Sequence, residues 1–579
     1  MHPSLVAACF HVLLLACAAN LPHVASASTT APATGACKCF PGDTCWPSDA
    51  EWSAFNETVG GRLIKTVPLG SPCHAPHHNA TECAILQSEW LFSPVHYNSS
   101  SSVQAPIFAN ASCDPFTPEN SPCRFGNYVR YAVNASSASD ISATLRFASQ
   151  KNIRLVVRNT AHDYLGRSTG AGALAVWTHH LKDTEVLHWD DESYTGPALK
   201  LGAGIQGFEA LAAAHAEGLV VVTGECPTVG IAGGYTQGGG HSALSTNFGL
   251  SADNTLAFEV VLADGTLVSA TATENSDLFW ALSGGGPGNY GVVYSMTVRA
   301  HPDTIVSGAS FTISAPDDDA YAAAVDLFHA ALPGILDAEI MIIYFFGTGF
   351  LQVSTMTAYN MTSDVAAAAL APFFSTLPSI NASVSVNYTE FGSYFDHYNH
   401  YFGPLPAGTI QVGVQLFGGR LIPRAVLPSF NATARALSDM GVTFIGVGLD
   451  VSRFSDRSNA VLPQWRDSAV SASLTLPYSF MVPFADMVAE QDSITSQVQP
   501  LVEAATPHAG AYMNEADFQQ PNWQETFFGV NYGALLRIKK KYDPEGLFYA
   551  TVAVGSEART IEEDGRMCAV INEAESLEK

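Results

Sequence analysis

The chain has 579 residues, of which 47% are hydrophobic and 14% are charged. This length predicts two to four structural units with sizeable cores. The 26 basic residues against 53 acidic ones give a net charge of −27. That balance excludes nucleic acid as a partner, because phosphate binding requires Lys and Arg.

The first 27 residues have the features of a secretory signal peptide. Residues 5–19 form an apolar segment, and Ala25-Ser26-Ala27 supplies small residues before a cleavage site. No later apolar run is long enough to predict a membrane span. Nine Asn-x-Ser/Thr sequons agree with secretion: Asn56, Asn79, Asn98, Asn110, Asn134, Asn360, Asn381, Asn387 and Asn431. The sequence therefore predicts an extracellular protein.

Residues 28–122 form a Cys- and Pro-rich N-terminal region. The segment 37–47 is typical of a disulfide-stapled loop. Ser48, followed three residues later by Glu51, predicts a capping box at the start of a helix. We interpret this region as structural.

Residues 123–302 alternate predicted strands, helices and Gly-rich loops. A strand at 128–133, a helix ending at Gln150 and a strand at 153–157 lead to a first loop. A helix at 206–217 and a strand at 219–222 lead to a second. Asp264-Gly265 predicts a hairpin turn. The pattern indicates an α/β arrangement.

The two loops differ from ordinary turns in composition. Residues 158–168 read Arg-Asn-Thr-Ala-His-Asp-Tyr-Leu-Gly-Arg-Ser, and residues 224–241 read Gly-Glu-Cys-Pro-Thr-Val-Gly-Ile-Ala-Gly-Gly-Tyr-Thr-Gln-Gly-Gly-Gly-His. Repeated Gly lets a backbone approach a flat or phosphorylated ligand and direct N–H groups at it. A third Gly-rich turn, Phe-Trp-Ala-Leu-Ser-Gly-Gly-Gly-Pro-Gly-Asn-Tyr-Gly, occupies 279–291.

Residues 303–505 carry mixed strands and helices without a distinctive motif. The aromatic stretch 394–398 lines a pocket or belongs to the core. His397 and His400 lack a third ligand, so no metal site is predicted. 

Residues 506–556 contain Tyr-Met-Asn-Glu-Ala-Asp at 512–517 and a helix that ends with Lys539 to Lys541, where cations favour the helix dipole. The charged tail, 557–579, is predicted to be loose.

These motifs resemble those of the vanillyl-alcohol-oxidase superfamily, which has the PCMH-type FAD-binding fold. Within it, the chain is most similar to the berberine-bridge-enzyme-like branch in its secreted fungal form. The resemblance covers residues 37–556 and is strongest over 123–302 and 506–556. It implies an α+β fold: a PCMH-type FAD-binding domain of two α/β subdomains (123–302), an antiparallel-sheet substrate domain with covering helices (303–505), and a C-terminal segment returning to the FAD domain (506–556).

The resemblance also implies a bicovalent flavin. In that branch a His bonds the flavin 8α-methyl and a Cys bonds flavin C6, and the motif positions are those of His162 and Cys226. Ala161 stands where the family usually has Gly. Further cofactor contacts are implied for Arg158, Asn159, Thr160, Ala161, Asp163, Gly166, Arg167, Ser168, Val229, Gly230, Gly233, Gly234, Gly238, Gly239, Asn514 and Asn531.

The cysteine count supports this assignment. Nine of the eleven cysteines follow the signal segment, and an odd number leaves one without an intramolecular partner. If Cys226 bonds the flavin, the other eight can pair. The alternative leaves Cys568 free.

A flavin oxidase needs a base for the proton that leaves as hydride moves to the flavin. The candidates are His241, Tyr164 and Glu515. The alternatives are loop hydrogen bonds for the first two and a solvated charge for Glu515. Val229, three residues after Cys226, is typical of oxidases in the family, so the acceptor is predicted to be O2 and the product H2O2.

The resemblance leaves the substrate open between a carbohydrate and a secondary metabolite. A flavin dehydrogenase with another acceptor is the main alternative, and a non-catalytic secreted binding protein is a second. The binding protein would be marked by loss of His162 or Cys226, and both are present. A monomer is expected.

Overall fold

The computed structural model describes residues 34–570, so the predicted signal peptide lies outside the described residues. Within that range five sheets and fifteen α-helices confirm the α+β class. No helix of the described chain is both long and apolar enough to cross a bilayer. The strands are β1 Thr34–Cys37, β2 Leu63–Lys65, β3 Tyr131–Asn134, β4 Leu155–Arg158, β5 Leu174–Trp177, β6 Thr184–Asp190, β7 Thr195–Gly202, β8 Leu219–Val220, β9 Thr255–Val261, β10 Leu267–Thr271, β11 Val292–Arg299, β12 His301–Pro302, β13 Val306–Ser314, β14 Met341–Gly347, β15 Phe350–Tyr359, β16 Ser383–Phe391, β17 Gln415–Pro423, β18 Thr443–Gly448, β19 Ser468–Pro477, β20 Arg559–Ile561 and β21 Met567–Val570.

The helices lie between and over these strands. They are α1 Asp49–Thr58, α2 Ala80–Glu89, α3 Ser93–Tyr97, α4 Ala138–Gln150, α5 Gly207–His215, α6 Ser245–Phe248, α7 Ser276–Leu282, α8 Asp318–Asp337, α9 Ser363–Phe374, α10 Tyr394–Phe402, α11 Asn431–Asp439, α12 Phe484–Ser493, α13 Gln499–Ala505, α14 Trp523–Phe528 and α15 Tyr532–Tyr542. The predicted capping box at Ser48 and Glu51 opens α1.

A four-stranded sheet in the order β2-β3-β5-β4 positions the first Gly-rich loop. Strands β3, β5 and β4 are parallel, and their apolar residues are buried, as expected for strands covered on both faces. Helix α4 connects β3 to β4 and begins after Ser137, whose hydroxyl accepts from the Asp140 N–H. The loop starts where β4 ends, at Arg158.

A five-stranded antiparallel sheet in the order β10-β9-β11-β7-β6 positions the second Gly-rich loop. Its β9–β10 hairpin turns at the predicted Asp264-Gly265, where Gly265 has φ of 84°. Helix α5 begins at a capping box of Gln206 and Glu209. The strand predicted at 219–222 is shorter than expected, because only Leu219 and Val220 find a partner, in β12.

A seven-stranded antiparallel sheet, β16-β13-β15-β14-β18-β19-β17, forms most of the middle region. Its side chains alternate between two faces. In β14, Ile342, Tyr344 and Phe346 pack into a core with helices α8, α9 and α11. Ile343 and Phe345 point the other way, into a large cavity. The sheet therefore forms one wall of that cavity.

The structure corrects the predicted looseness of the tail over its described part. Strands β20 and β21 pair with each other, and β21 pairs with β1.

A disulfide joins Cys37 to Cys568, so the alternative in which Cys568 is free is wrong. The other disulfides are Cys39–Cys45, Cys73–Cys83 and Cys113–Cys123. Cys226 is the free cysteine of the described chain.

The last turn of α15 differs from the prediction at Lys539. Lys541 is exposed and pairs with Asp277 at the surface. Lys539 is buried, where its ammonium pairs with Asp543 and donates to the carbonyls of Asn289 and Phe548 at 2.9 and 2.8 Å. It therefore anchors the C-terminal segment instead of serving as a solvated helix-end charge.

Candidate active site

A cavity of about 740 Å³ lies between the two Gly-rich loops, the seven-stranded sheet and the C-terminal segment. This volume falls within the range of cofactor and substrate sites. Both loops contribute their reactive side chain to its wall. Thr228 contacts both of these side chains: His162, which is 66 residues away in sequence, and Cys226, which is two residues away.

The first loop holds His162 through a strained turn. Ala161 has φ of 61°, a left-handed conformation that costs L-residues energy and that Gly adopts freely. Gln104 supports the turn from the N-terminal region: its side chain donates to the Thr160 carbonyl at 2.8 Å and its N–H to the Ala161 carbonyl at 3.3 Å. The N-terminal region thus takes part in building the site, which the sequence did not reveal.

The rest of the first loop is tied to the C-terminal segment. Asp163 accepts hydrogen bonds from the N–H groups of Leu165, Arg167 and Ser168. The Arg167 guanidinium donates to the Thr551, Met513 and Val552 carbonyls at 3.0 to 3.3 Å. Burial lowers the pKa of Arg167 to about 10, so it remains a cation at neutral pH.

His162 and Cys226 are adjacent across the cavity wall. The Cys226 Sγ lies 4.0 Å from His162 Nε2 and 3.6 Å from Thr228 Oγ1. The Thr228 hydroxyl contacts His162 Nε2 at 2.7 Å. Burial, assisted by His96, lowers the pKa of His162 to about 3, so its imidazole is neutral. Burial raises the pKa of the Cys226 thiol.

Helix α10 fixes the second loop beside Cys226. The Tyr398 hydroxyl donates to the Gly224 carbonyl at 2.7 Å and to the Glu225 carbonyl at 3.2 Å. Tyr394 and Tyr398 are fully buried, so the core interpretation of stretch 394–398 holds for both. Further along the same helix, Tyr401 and Phe402 line the cavity.

Glu225, His241 and Glu515 form an acid–base cluster. His241 Nδ1 lies 3.1 Å from Glu225 Oε2, and Nε2 lies 2.9 Å from Glu515 Oε1. Burial alone would lower the pKa of His241, but the two carboxylates raise it well above its ordinary value. Glu515 reaches the cluster because Gly419 in β17 lets it approach: a Cβ there would lie 1.9 Å from the Glu515 carbonyl oxygen.

Tyr164 lines the cavity next to the seven-stranded sheet. Its ring stacks on Phe417 of β17 with centroids 4.0 Å apart and an interplanar angle of 12°. Burial, with Glu515 and Cys226 nearby, raises the pKa of its phenol. Tyr164 is therefore a neutral phenol at physiological pH.

Most of the predicted site residues lie together on this cavity. Its wall includes Arg158, Asn159, Thr160, Ala161, His162, Asp163, Tyr164, Arg167, Ser168, Cys226, Val229, Gly230, Gly233, Gly234, His241, Asn514 and Glu515. The Asn514 amide donates to the Gly234 carbonyl at 2.7 Å, which joins the C-terminal segment to the second loop.

Four predicted cofactor contacts lie off the cavity wall. Gly166 faces the ring of Phe108, and Gly238 lies against the Asn514 side chain. Gly239 adopts φ of 118°, which serves the turn itself. The Asn531 amide donates to the carbonyls of Ala460 and Val461. These residues shape or support the loops and do not line the cavity.

The structure also adds residues that no motif indicated. One group comes from the seven-stranded sheet, whose inward positions are visible only once the strand register is known. It comprises Ile343, Phe345, Ser354, Thr355, Gln415, Phe417, Ile445, Val447 and Ser473. Another is the strap 409–414 before β17. Glu225 belongs to the motif region but was not singled out.

The cavity fits an FAD. The Nε and Nη1 atoms of Arg158 and Oε1 of Gln237 are buried on its wall, and none of these atoms has a hydrogen-bond partner within the described residues. A Cβ on Gly233 would meet nothing within 4 Å, and one on Gly234 would meet only Pro287 Cγ, at 3.8 Å. Polar atoms without partners and an accessible backbone suit a dinucleotide cofactor. Fold and site together define a flavoprotein architecture.

Comparisons with known proteins agree with this class. The family described as "FAD binding domain" matches residues 129–271, and "Berberine and berberine like" matches residues 511–555. The "FAD-linked oxidoreductase ZEB1" of Gibberella zeae is 54% identical over 93% of this chain and 96% of its own length. The "VAO-type flavoprotein oxidase VAO615" of Thermothelomyces thermophilus is 41% identical over 92% and 95%.

Solved structures show the same fold. The VAO-type flavoprotein MtVAO615 from Myceliophthora thermophila C1 superposes with a TM-score of 0.89 at 41% identity, covering 92% of this chain and all of that one. A glucooligosaccharide oxidase from Acremonium strictum superposes with a TM-score of 0.61 at 20% identity, covering 74% and 91%, and supports the fold alone. The chain belongs to the FAD-linked oxidoreductases of the vanillyl-alcohol-oxidase type with a berberine-like C-terminal segment.

Proposed function

We propose that the protein is a secreted, monomeric oxidase with FAD bonded to His162 and Cys226, which oxidises an alcohol carbon of a compact and largely apolar substrate. Oxygen is the acceptor, so an alcohol and O2 give a carbonyl compound and H2O2. The observation that carries the proposal is the meeting of a neutral His, a free Cys and an acid–base cluster on one cavity.

The attachment sites suit two bonds to one ring. The Thr228 hydroxyl is hydrogen-bonded to His162 Nε2, so Nδ1 of the neutral imidazole is the nitrogen left for a bond to the flavin. The Acremonium strictum enzyme is described with a 6-S-cysteinyl, 8α-N1-histidyl FAD. Bond formation through Cys226 requires its thiolate. Nearby Thr228 lowers the pKa of that thiol, whereas burial raises it.

Glu515 is the proton acceptor in this proposal. Its side chain is 25% exposed toward the cavity, compared with 6% for His241. Burial opposes the shift, but Glu225 and Glu515 raise the pKa of His241 well above its ordinary value, which suits this imidazole to donate hydrogen bonds and not to accept the substrate proton. Tyr164 stays neutral and is suited to hold the substrate oxygen by donating a hydrogen bond. When bound in this cavity, FAD would supply the acceptor for the hydride and the route for the two electrons to O2.

The cavity wall favours an apolar substrate. On the sheet and strap, apolar side chains outnumber polar ones by eight to six: Ile343, Phe345, Ile410, Val412, Val414, Phe417, Ile445 and Val447 against Ser354, Thr355, Thr409, Gln411, Gln415 and Ser473. The two cations on the wall, Arg158 and Arg167, already donate to backbone carbonyls. A phenyl or polyketide-like secondary alcohol fits such a surface better than an oligosaccharide, whose many hydroxyls need partners.

Acid precipitation of the purified protein tests the flavin bonds. We expect yellow colour in the pellet, retained in His162→Ala and in Cys226→Ala, because each variant keeps one bond. The double variant should release its flavin to the supernatant. Exposed His400→Ala is the matched control and should behave as wild type. Release from wild-type protein would contradict the bicovalent assignment.

A substrate panel tests the reaction. Purified holoprotein is screened for H2O2 formation with aromatic and aliphatic secondary alcohols and with mono- and oligosaccharides. Glu515→Gln should lower kcat about 100-fold or more on the best alcohol, as expected when a general base is lost. Flavin reduction without H2O2 would indicate a dehydrogenase. Turnover of sugars alone would overturn the apolar substrate class.

Secretion is part of the proposal. Four disulfides within the described chain agree with an oxidising compartment. Expression with the native leader in a fungal host should place the protein in the medium, with a mass decrease after endoglycosidase treatment. Intracellular retention of the active protein would contradict it.

A further inference from the structure

Glu225 is a cavity-wall carboxylate that the proposed reaction leaves unused. It directly precedes Cys226, and its side chain is 13% exposed. Its carbonyl accepts from the Tyr398 hydroxyl at 3.2 Å, so helix α10 fixes its backbone. Its carboxylate lies 3.1 Å from His241 Nδ1.

The contacts of His241 constrain where its protons lie. An ionised carboxylate can only accept hydrogen bonds. An imidazole with a carboxylate at each nitrogen must therefore donate from both. With Glu225 on Nδ1, the Nε2–H is directed at Glu515 Oε1, 2.9 Å away. Without Glu225, a neutral ring carries its single proton on either nitrogen.

Three aromatic residues, Tyr235, Trp465 and Tyr512, surround His241 and hold its ring in place. The Tyr512 ring meets it edge-on at 5.2 Å, and Trp465 lies 6.4 Å away. The Tyr235 hydroxyl donates to the His241 carbonyl at 2.8 Å. The titratable groups that face the ring are Glu225 from the second loop and Glu515 and Tyr512 from the C-terminal segment, while Tyr235 of the second loop contacts the His241 backbone.

We propose that Glu225 is a positioning residue of the reaction: its carboxylate anchors His241 so that Nε2–H donates to Glu515 and holds that carboxylate toward the substrate. The proposal rests on the proposed role of Glu515 as proton acceptor. Glu225 acts through His241 and has no contact with the substrate. The raised pKa of His241 agrees with this arrangement, since both carboxylates contribute to it.

A pH titration of flavin absorbance tests the link without any substrate. The holoprotein, Glu225→Gln, His241→Gln and the double variant are scanned from about pH 5.5 to 9.5. Glu225→Gln removes the charge but keeps the shape, so the pKa of His241 falls. We expect an additional transition between about pH 6 and 9 in Glu225→Gln, absent from wild type and from the double variant. Glu259→Gln, on the five-stranded sheet, is the matched control and should match wild type.

Turnover of the alcohol identified by the peroxide screen provides the second measurement. Glu225→Gln should lower kcat/KM about 10-fold above the new transition, with little change in KM, and Glu225→Asp should recover part of the rate. In the His241→Gln background, Glu225→Gln should change kcat/KM less than 2-fold, because the imidazole through which Glu225 acts is absent.

The outcomes separate this inference from the proposed function. A Glu225→Gln transition that persists in the double variant, or no additional transition at all, overturns the role of Glu225. Equal rate losses in both backgrounds also overturn it, since Glu225 would then act without His241. H2O2 formation that survives those results leaves the proposed oxidase intact. Absence of turnover refutes the oxidase, while the titration still decides the link between Glu225 and His241.

Discussion

Asp543→Asn should destabilise the protein strongly, because it leaves a buried ammonium without its counter-ion. Asp543 has a fully buried side chain and Lys539 is 8% exposed. The Asp543 carboxylate also accepts from the N–H groups of Leu547 and Phe548 at 2.8 and 2.9 Å. These bonds begin the segment that places Phe548 and Ala550 on the cavity wall. The pair therefore supports both the fold and the site.

The size of the effect follows from the burial of both groups. Removing one partner of a buried ion pair costs about 3–5 kcal/mol in the free energy of unfolding. With an unfolding entropy of about 2.1 cal/mol/K per residue, that corresponds to about 3 to 4 °C in Tm if the whole chain unfolds cooperatively, and to about 7 to 12 °C if a unit of about 200 residues does. Lys541→Met, two residues along the same helix, breaks an exposed pair and should change stability by about 0.5 kcal/mol or less.

The assay is thermal unfolding followed by circular dichroism and flavin fluorescence at several pH values. Burial lowers the pKa of Lys539, and loss of Asp543 lowers it further. The unfolded chain then binds more protons than the folded one, so the stability of Asp543→Asn should rise with pH. The deficit relative to wild type should shrink between about pH 7 and 10. A deficit that is constant over this range, or a loss no larger than that of Lys541→Met, would refute the buried-charge argument.

Three further predictions concern the two loops. Ala161→Gly should raise stability by about 0.5–1 kcal/mol, because relief of the left-handed strain at φ of 61° exceeds the added entropy cost; an unchanged or lower Tm would contradict it. Gly230→Ala should displace Asn159, whose Nδ2 would lie 2.0 Å from the new Cβ, and reduce the flavin content of the purified protein. Gly334→Ala, whose Cβ meets nothing within 4 Å, is the control, and equal flavin content in the two variants would count against the clash. Tyr398→Phe loses two hydrogen bonds to the Cys226 loop and should cost about 1–2 kcal/mol. Tyr398→Phe should also lower the fraction of protein whose flavin is bonded to Cys226, measured by peptide mass spectrometry. An unchanged fraction would contradict a supporting role for Tyr398.

The motifs predicted the two Gly-rich loops that line the cavity, because each loop is one contiguous stretch of sequence. Gly, His and Cys at fixed spacing within 158–168 and 224–241 report a local backbone shape, and local shape can be read from sequence. The sequence also shows that Ala161 stands where the family usually has Gly. In the structure Ala161 keeps a left-handed φ, which Gly would adopt without strain. Counting cysteines anticipated that Cys226 is unpaired while the other eight bridge.

The part of the cavity wall that the seven-stranded sheet forms could not be predicted in the same way. Ile343 and Phe345 belong to one strand and Phe417 to another, and they face the cavity only because the antiparallel register turns alternate residues inward. Nothing local distinguishes Ile343 from Ile342, which lies in the opposite core. Similarly, Lys539 and Lys541 look alike in sequence, but tertiary packing buries one and exposes the other.

The acid–base cluster also could not be predicted from the sequence, because it depends on contacts between distant residues. His241 and Glu515 were separate candidates for one role, and the structure joins them with Glu225 into a single proton-sharing unit. A contact between residues 274 positions apart has no signature in a single chain. What each member can do depends on geometry: two neighbouring carboxylates raise the pKa of His241, and Glu515 has the more exposed side chain.

The Cys37–Cys568 disulfide closes the described chain into a covalent ring, because its two cysteines are 531 positions apart. A single peptide-bond cut anywhere between them opens the ring without releasing a fragment. Limited proteolysis of an exposed loop would thus leave one molecule on a non-reducing gel and two pieces after reduction. The three smaller disulfides each span ten residues or fewer and offer no such retention. This one bridge therefore lets a nicked molecule keep both Gly-rich loops and the C-terminal segment in one covalent unit.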